Sequence, residues 1–250
     1  MKPLSSAVKT LAAELRLPIY QPERIRDEAA QERIRALDAD VMVVVAYGQI
    51  LPASLIDAPR LGTLNVHGSL LPRHRGPAPV EWAILRGDSE TGVTIMQMDS
   101  GVDTGSILAQ ARTPIAPHEQ AGLLSGRLAE LGARLLVETL DALKGGRATA
   151  MPQPVEGAIQ APRLRSEDGK LNPATMSAEE IDRRVRALAE RLGCWITIKG
   201  IELKVLKGHV NGDRGEGIPV ETRDGVYVVD EVQPPGRRAM SAAAWTRGRR

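Results

Sequence analysis

Three stretches carry side chains able to do chemistry. In Thr63-Leu64-Asn65-Val66-His67 the pattern is that of a strand, and residues two apart on a strand share a face, so Asn65 and His67 present an amide and an imidazole side by side. They fall at a strand end, where open α/β sheets place their ligands. An amide N–H can stabilise a developing oxyanion, and an imidazole with an unperturbed pKa near ~6.5 can move protons at neutral pH. The plain alternative is a hydrogen-bonded pair at a strand end. The second stretch, Gly68-Ser69-Leu70-Leu71-Pro72-Arg73-His74-Arg75-Gly76-Pro77-Ala78-Pro79, is stiffened by proline and suits either ligand positioning or a simple connection to the next helix. The third is the turn Asp99-Ser100-Gly101-Val102-Asp103-Thr104-Gly105. Its aspartates could cap the local backbone or reach a neighbouring catalytic group. The turn fits half of a calcium loop poorly, because the middle ligands and the terminal glutamate are missing.

The elements that must hold these stretches alternate in type. Ser5 or Ser6 can cap a helix running to Arg16, and Glu23–Leu37 is amphipathic. Val41–Ala46 is an unalternating β-branched run that suits a parallel strand buried on both faces. After Thr63–His67 come helical Pro79–Arg86, strands Thr91–Met98 and Ser106–Arg112, and a long helical pattern over Glu119–Leu143. Such interleaving predicts an α/β domain with a Rossmann-like, mainly parallel sheet. Glycine and proline cluster between Lys144 and Pro162 and mark a boundary. Beyond it lie a helix over Ser177–Leu192 with Ser177 and Glu180 as a capping box, and strands Cys194–Ile198, Ile201–Leu206 and Gly225–Val232. Lys199-Gly200 is a tight-hairpin candidate, and the whole predicts a small β-barrel-like (OB-like) second domain.

Composition removes several classes. With 42% apolar residues and scattered charge the chain is globular. One Cys cannot form an internal disulfide, so the fold is independent of oxidation. Aromatic residues at 2% exclude base-stacking platforms for single strands. No apolar run is long enough for a membrane span, no Gly-rich phosphate loop occurs, and the four His are too dispersed for a metal cluster, so neither membrane nor metal is expected. The start lacks a signal-peptide core, which predicts a cytoplasmic protein, or an organellar one if a presequence precedes Met1. Residues 164–250 carry 16 Lys and Arg against 13 Asp and Glu, placing the modest basic excess in the second domain.

Together, Asn65–Pro79, Thr91-Gly92-Val93-Thr94-Ile95-Met96-Gln97-Met98-Asp99 and Gly101-Val102-Asp103-Thr104-Gly105 resemble the methionyl-tRNA formyltransferase family. The resemblance extends over Ala161–Leu171 and Met240-Ser241-Ala242, and the 38-residue separation of Asn65 and Asp103 agrees with it. It implies transfer of the formyl group of 10-formyltetrahydrofolate to the amino group of initiator methionyl-tRNA, by a monomer without a metal. It also implies Asn65, His67 and Asp103 as catalytic residues and Ser69, Leu70, Leu71 and Pro72 as the folate-binding segment. Residues 1–145 would be the catalytic domain, 146–163 a linker and 164–250 a tRNA-binding domain. Against the family pattern, Met1-Lys2-Pro3-Leu4 aligns after the first β-α-β unit, and Ala189-Glu190-Arg191-Leu192-Gly193 replaces an aromatic, Pro-rich turn. From these departures follow the expectations of an uncovered sheet edge and altered docking of the second domain. Two alternatives stay open: a related folate-dependent enzyme acting on a small amine or water, and an inactive remnant that binds folate or RNA. Arg73, His74 and Arg75 could meet acceptor-stem phosphates or the substrate carboxylate, or form a solvated face. Arg237, Arg238, Arg247, Arg249 and Arg250 could contact phosphates or form a frayed tail, Cys194 reads as a buried small hydrophobe, and Met96 and Met98 read as core.

Overall fold

The computed structural model describes residues 5–210 and 217–248. In chain order the first part comprises α1 (Ala7–Glu14), α2 (Glu28–Arg35), β1 (Met42–Val44), α3 (Ala53–Ile56), β2 (Thr63–His67), α4 (Pro79–Arg86), β3 (Glu90–Gln97), β4 (Ile107–Pro114) and α5 (Ala121–Lys144). The four strands form one sheet in sequence order. Its class is α/β as expected, but its parallel character is confined to β1 and β2, while β2–β3 and β3–β4 are antiparallel. Apolar runs report burial and carry no direction. Here the chain returns through α4 against β2, then doubles back through the turn after Gln97 to pair β4 with β3.

β1 is shorter than the apolar run that predicts it and only half-buried. It pairs on one side, at the end of the described strand order, and Ala46 takes a left-handed φ of 47° just beyond it. Val45 is 58% exposed and α1 buries none of its residues, so apolar surface is uncovered on this flank. The opposite end is well covered. Leu64, Val93 and Ile95 from the sheet and Leu124 and Leu128 from α5 form a buried core. Gly132 lets α5 lie close, since a Cβ there would press on Val66 at 3.0 Å and Val93 at 3.3 Å.

The second part begins with a capped helix, α6 (Ala178–Leu188), in which the Ser177 hydroxyl and the Glu180 carboxylate each accept the other's backbone N–H. Strands β5 (Cys194–Ile198), β6 (Ile201–Val210), β7 (Ile218–Glu221), β8 (Val226–Gln233) and β9 (Met240–Ser241) follow, then α7 (Ala242–Arg247). They pair antiparallel in the order β5-β6-β8-β7, with β9 also on β8. Lys199 and Gly200, at φ 50° and 76°, turn β5 into β6, the tight hairpin predicted for that dipeptide. Two register shifts in β6 curl the sheet. Cys194 is fully buried, which pushes its thiol up to about 12.

The two parts share an apolar core, because α4 packs on α6 and Leu64, Val93 and Ile95 of the first sheet belong to one cluster with Ile196, Leu203 and Val229 of the second. Arg191 forms an ion pair with Glu81 on α4, the Trp82 Nε1–H donates to the Pro162 carbonyl at 2.8 Å, and Arg186 donates to the Glu119 carbonyl at 3.3 Å. The Ala189–Gly193 segment makes part of the contact itself: Ala189 is buried and Arg191 supplies the cation.

Candidate active site

β2 delivers Asn65 and His67 to one face, opposite Met96 and Thr94 of β3. Asp103 arrives from the β3–β4 turn, 38 residues beyond Asn65. The turn divides the work of its aspartates. Asp99 Oδ1 accepts from the Gly101 N–H at 2.9 Å and the Thr104 hydroxyl at 2.7 Å, a local cap. Asp103, held at a left-handed φ of 53°, turns its carboxylate toward β2. Asn65 Nδ2 donates to Asp103 Oδ1 at 3.4 Å, and Asp103 Oδ2 accepts from the Gly76 N–H at 2.8 Å. The remaining edge of Oδ2 lies 3.7 Å from His67 Nδ1.

The imidazole of His67 is fixed by its other nitrogen, which lies 2.9 Å from the carbonyl oxygen of His74. A carbonyl only accepts, so Nε2 carries the hydrogen, and in the neutral ring the lone pair is on Nδ1, facing Asp103. Burial lowers the pKa of His67 below 6.5, outweighing the opposing influence of the Asp103 charge and the His74 carbonyl. His67 therefore rests neutral at pH 7, with a basic nitrogen beside a carboxylate.

His74 is 2% exposed, with Nε2 2.6 Å from Asp88 Oδ2, while Arg73 donates to Asp88 Oδ1 at 2.7 Å. Burial alone would raise the Asp88 carboxyl, but the hydrogen bond and charge of His74 and the Arg73 guanidinium hold it below its ordinary value. Arg75 donates twice to Gln153 Oε1, at 3.0 and 2.7 Å. In the Arg73-His74-Arg75 run His74 is buried, Arg75 half-buried and Arg73 exposed, and all three side chains are bonded to Asp88 or Gln153, which braces the loop.

Ser69–Pro72 runs directly after these residues. Thr94 holds its backbone: its hydroxyl donates to the Ser69 carbonyl at 2.7 Å and accepts from the Leu71 N–H at 3.1 Å. Gln110 Nε2 donates to the Leu71 carbonyl at 2.8 Å and to Thr94 Oγ1 at 2.9 Å. Ser69 and Leu71 are buried, and Leu71 packs with Met96 and Ile107, which places Met96 in the core as its strand position predicts, with partly buried Met98 against it. A cleft of about 890 Å³ lies along Leu70, Leu71 and Pro72, across from Gln110, Arg112 and Met151. Asn65, His67 and Asp103 do not line it.

Sequence reasoning missed Thr94, Gln110 and Gln153. Thr94 sits within a motif stretch and its alternation with Met96 placed it on the His67 face, but isolated polar residues announce no function by type alone. Among the described residues no group of three or more His, Cys, Asp or Glu is arranged to hold a metal, and no helix is long and apolar enough to cross a membrane. Arg249 and Arg250 lie outside the described residues.

Gly105 closes the turn. A Cβ there would collide with the Gln97 carbonyl oxygen. Gly105→Ala is therefore expected to cost roughly 1–3 kcal/mol, as for a side chain forced into filled space. Thermal unfolding would show it as a fall of roughly 2–4 °C per kcal/mol, and an unchanged midpoint would contradict the packing described.

An α/β unit followed by a curved antiparallel sheet is the fold of a formyl transferase, and the chain belongs to that family. The family's description "Formyl transferase" matches residues 2–140, and "Formyl transferase, C-terminal domain" matches residues 163–250. Within it, the chain stands with the methionyl-tRNA formyltransferases: it is 45% identical to that of Halorhodospira halophila over 97% of this chain and 82% of that protein. To that of Paracoccus denitrificans it is 43% identical, over 99% of this chain and 84% of that one. Among solved structures, an N-formyltransferase from Helicobacter canadensis, in complex with folinic acid and dTDP-3-aminofucose, shares the fold at a TM-score of 0.70. It is 17% identical, with 92% of this chain and 85% of that one covered. The sugar 3N-formyl transferase WlaRD shares it at a TM-score of 0.69 and 19% identity, with 93% and 82% covered.

Proposed function

We propose that this chain transfers the formyl group of 10-formyltetrahydrofolate to the amino group of initiator methionyl-tRNA. The observation that carries the reading is the convergence of Asn65, His67 and Asp103 in a chain 42–45% identical to methionyl-tRNA formyltransferases along nearly its whole length. Transfer to a small amine or to water finds less support, since the sugar enzymes that share the fold do so at 17–25% identity.

In this reading the amine attacks the formyl carbon and Asn65 donates an N–H to the oxygen that becomes negative. His67 Nδ1 takes the proton from the attacking nitrogen, and Asp103 stabilises the imidazolium so formed. The same proton then passes to the departing folate nitrogen as its bond to carbon breaks. Protons and charges balance without a covalent enzyme intermediate, and Cys194 plays no part. Ser69–Pro72, clamped by Thr94 and Gln110, would bind the folate with its formyl end toward β2. Residues 1–145 act as the catalytic domain, 146–163 as a linker and 164–250 as the tRNA-binding domain of a cytoplasmic monomer.

The test is direct. Purified protein is incubated with 10-formyltetrahydrofolate and charged initiator tRNA, and formyl-methionine is measured. Product that disappears with Asp103→Asn is the expected result; a folded wild-type sample that makes none would refute the reading.

A further inference from the structure

One residue outside every motif ties the candidate site together. Gln153 lies in the stretch between the two sheets, and its amide uses its full hydrogen-bonding capacity on the site's two loops. Nε2 donates to the Asp103 carbonyl at 2.9 Å and to the Gly105 carbonyl at 2.7 Å. Oε1 accepts both bonds from Arg75. Arg75 immediately precedes Gly76, whose N–H donates to the Asp103 carboxylate. Gln153 therefore holds Asp103 from its backbone side and, through Arg75, the donor that grips its side chain.

The same stretch is sewn to the loops at both ends. Met151 exchanges backbone hydrogen bonds with Ile107 at 2.8 and 2.9 Å, Ile159 accepts from the Arg75 N–H at 2.8 Å, and Ala161 donates to the Arg75 carbonyl at 2.7 Å. A left-handed non-glycine residue such as Asp103 persists only where its surroundings over-determine it, and the two bonds from Gln153 to the carbonyls at 103 and 105 supply that constraint.

We infer that Gln153 is a positioning residue for formyl transfer, aligning the Asp103 carboxylate with His67 from the stretch that connects the two domains. The inference rests on the reading of Asn65, His67 and Asp103 given above. It assigns to a connecting segment a direct mechanical hold on the chemistry.

Two variants and two readouts test it. Gln153→Ala removes all four bonds; Gln153→Glu keeps the side-chain volume and the acceptor for Arg75 but sets an oxygen against two carbonyl oxygens. A misplacement of about 1 Å can cost about a hundredfold in rate, so both variants are expected to lower kcat by about tenfold to a hundredfold. KM for the folate should stay within about twofold, because the clamp on Ser69–Pro72 is untouched. The second readout is the titration of His67 followed by NMR. The groups facing its ring are Asp103 on the β3–β4 turn and His74 on the loop after β2, with Asp88 and Arg73 behind it. Both variants retain all of these, so a downward move of the His67 titration, toward that of Asp103→Asn, reports Asp103 drawing away.

Unchanged kcat and unchanged titration would overturn the inference. So would a fall in kcat with the His67 titration unmoved, which would place the role of the amide elsewhere. If the wild type makes no formyl-methionine, the functional reading fails, yet the His67 titration still decides whether Gln153 holds Asp103 in place.

Discussion

Formyl transfer by His67→Ala is expected to fall by about a hundredfold to ten-thousandfold, the range typical for losing a positioned proton-transfer group. The loss should appear in kcat, since the ring is buried and the segment proposed to bind folate, Ser69–Pro72, is a separate stretch. Its pH dependence identifies the role. In the proposed mechanism the working form is the neutral ring, so kcat/KM for the wild type should hold as pH falls toward 6.5 and decline only below it, burial having lowered the titration of His67. Asp103 opposes that shift, so Asp103→Asn should move the acid limb further down while lowering the rate. An acid limb above 6.5, or a His67→Ala enzyme within about tenfold of wild type, would count against Nδ1 as the proton carrier. The same shift has a stability sign. Between the folded and unfolded titrations the unfolded chain binds more protons, so this group removes stability as pH falls through 6.5.

Asn65→Ala is expected to cost about a hundredfold to a thousandfold in kcat, equivalent to about 2.7–4 kcal/mol of barrier, the effect of deleting one oxyanion donor. Asn65 Nδ2 spends one hydrogen on a long 3.4 Å bond to Asp103, leaving the other for the substrate oxygen. Folding should change little, because Asn65 is half-buried at a strand end and the β2 pairings to β1 and β3 involve only its backbone. Asn65→Asp sharpens the test. It is nearly isosteric but sets a second carboxylate beside Asp103 and has no N–H to offer, so rate should fall at least as far as with alanine. Recovery of activity in Asn65→Asp would show that the amide contributes shape alone.

Much of this arrangement is readable in the residues, for reasons that also mark the boundary. Asn65 and His67 share a face because strand periodicity is two, a rule that needs no tertiary information. The capping box at Ser177 and the hairpin at Lys199-Gly200 are likewise local. The direction of β3 and β4 is not local: burial writes the same apolar run into a parallel and an antiparallel strand. The approach of Asp103 to His67 could be anticipated only through a resemblance, since it depends on the β3–β4 turn folding back over β2. Arg73, His74 and Arg75 look like a basic patch until Asp88 and Gln153, 14 to 78 residues away, absorb them. Thr94, Gln110 and Gln153 act through backbone carbonyls and amides, partners that every residue carries and that leave no trace in side-chain pattern.

The shared core of α4 and α6 bears on how such a chain can change over generations. A second domain joined only by a flexible tether could be exchanged for another, leaving the first unit intact. Here Glu81 and Trp82, on the helix that follows the loop of the candidate site, face Arg191 and the Pro162 carbonyl. A transplanted second domain would have to bring a matching α6 face or inherit a mispacked α4. Recombination at the glycine- and proline-rich boundary, the obvious seam in the sequence, would thus be penalised by lost fit several residues away from it, and the two halves are bound to drift together.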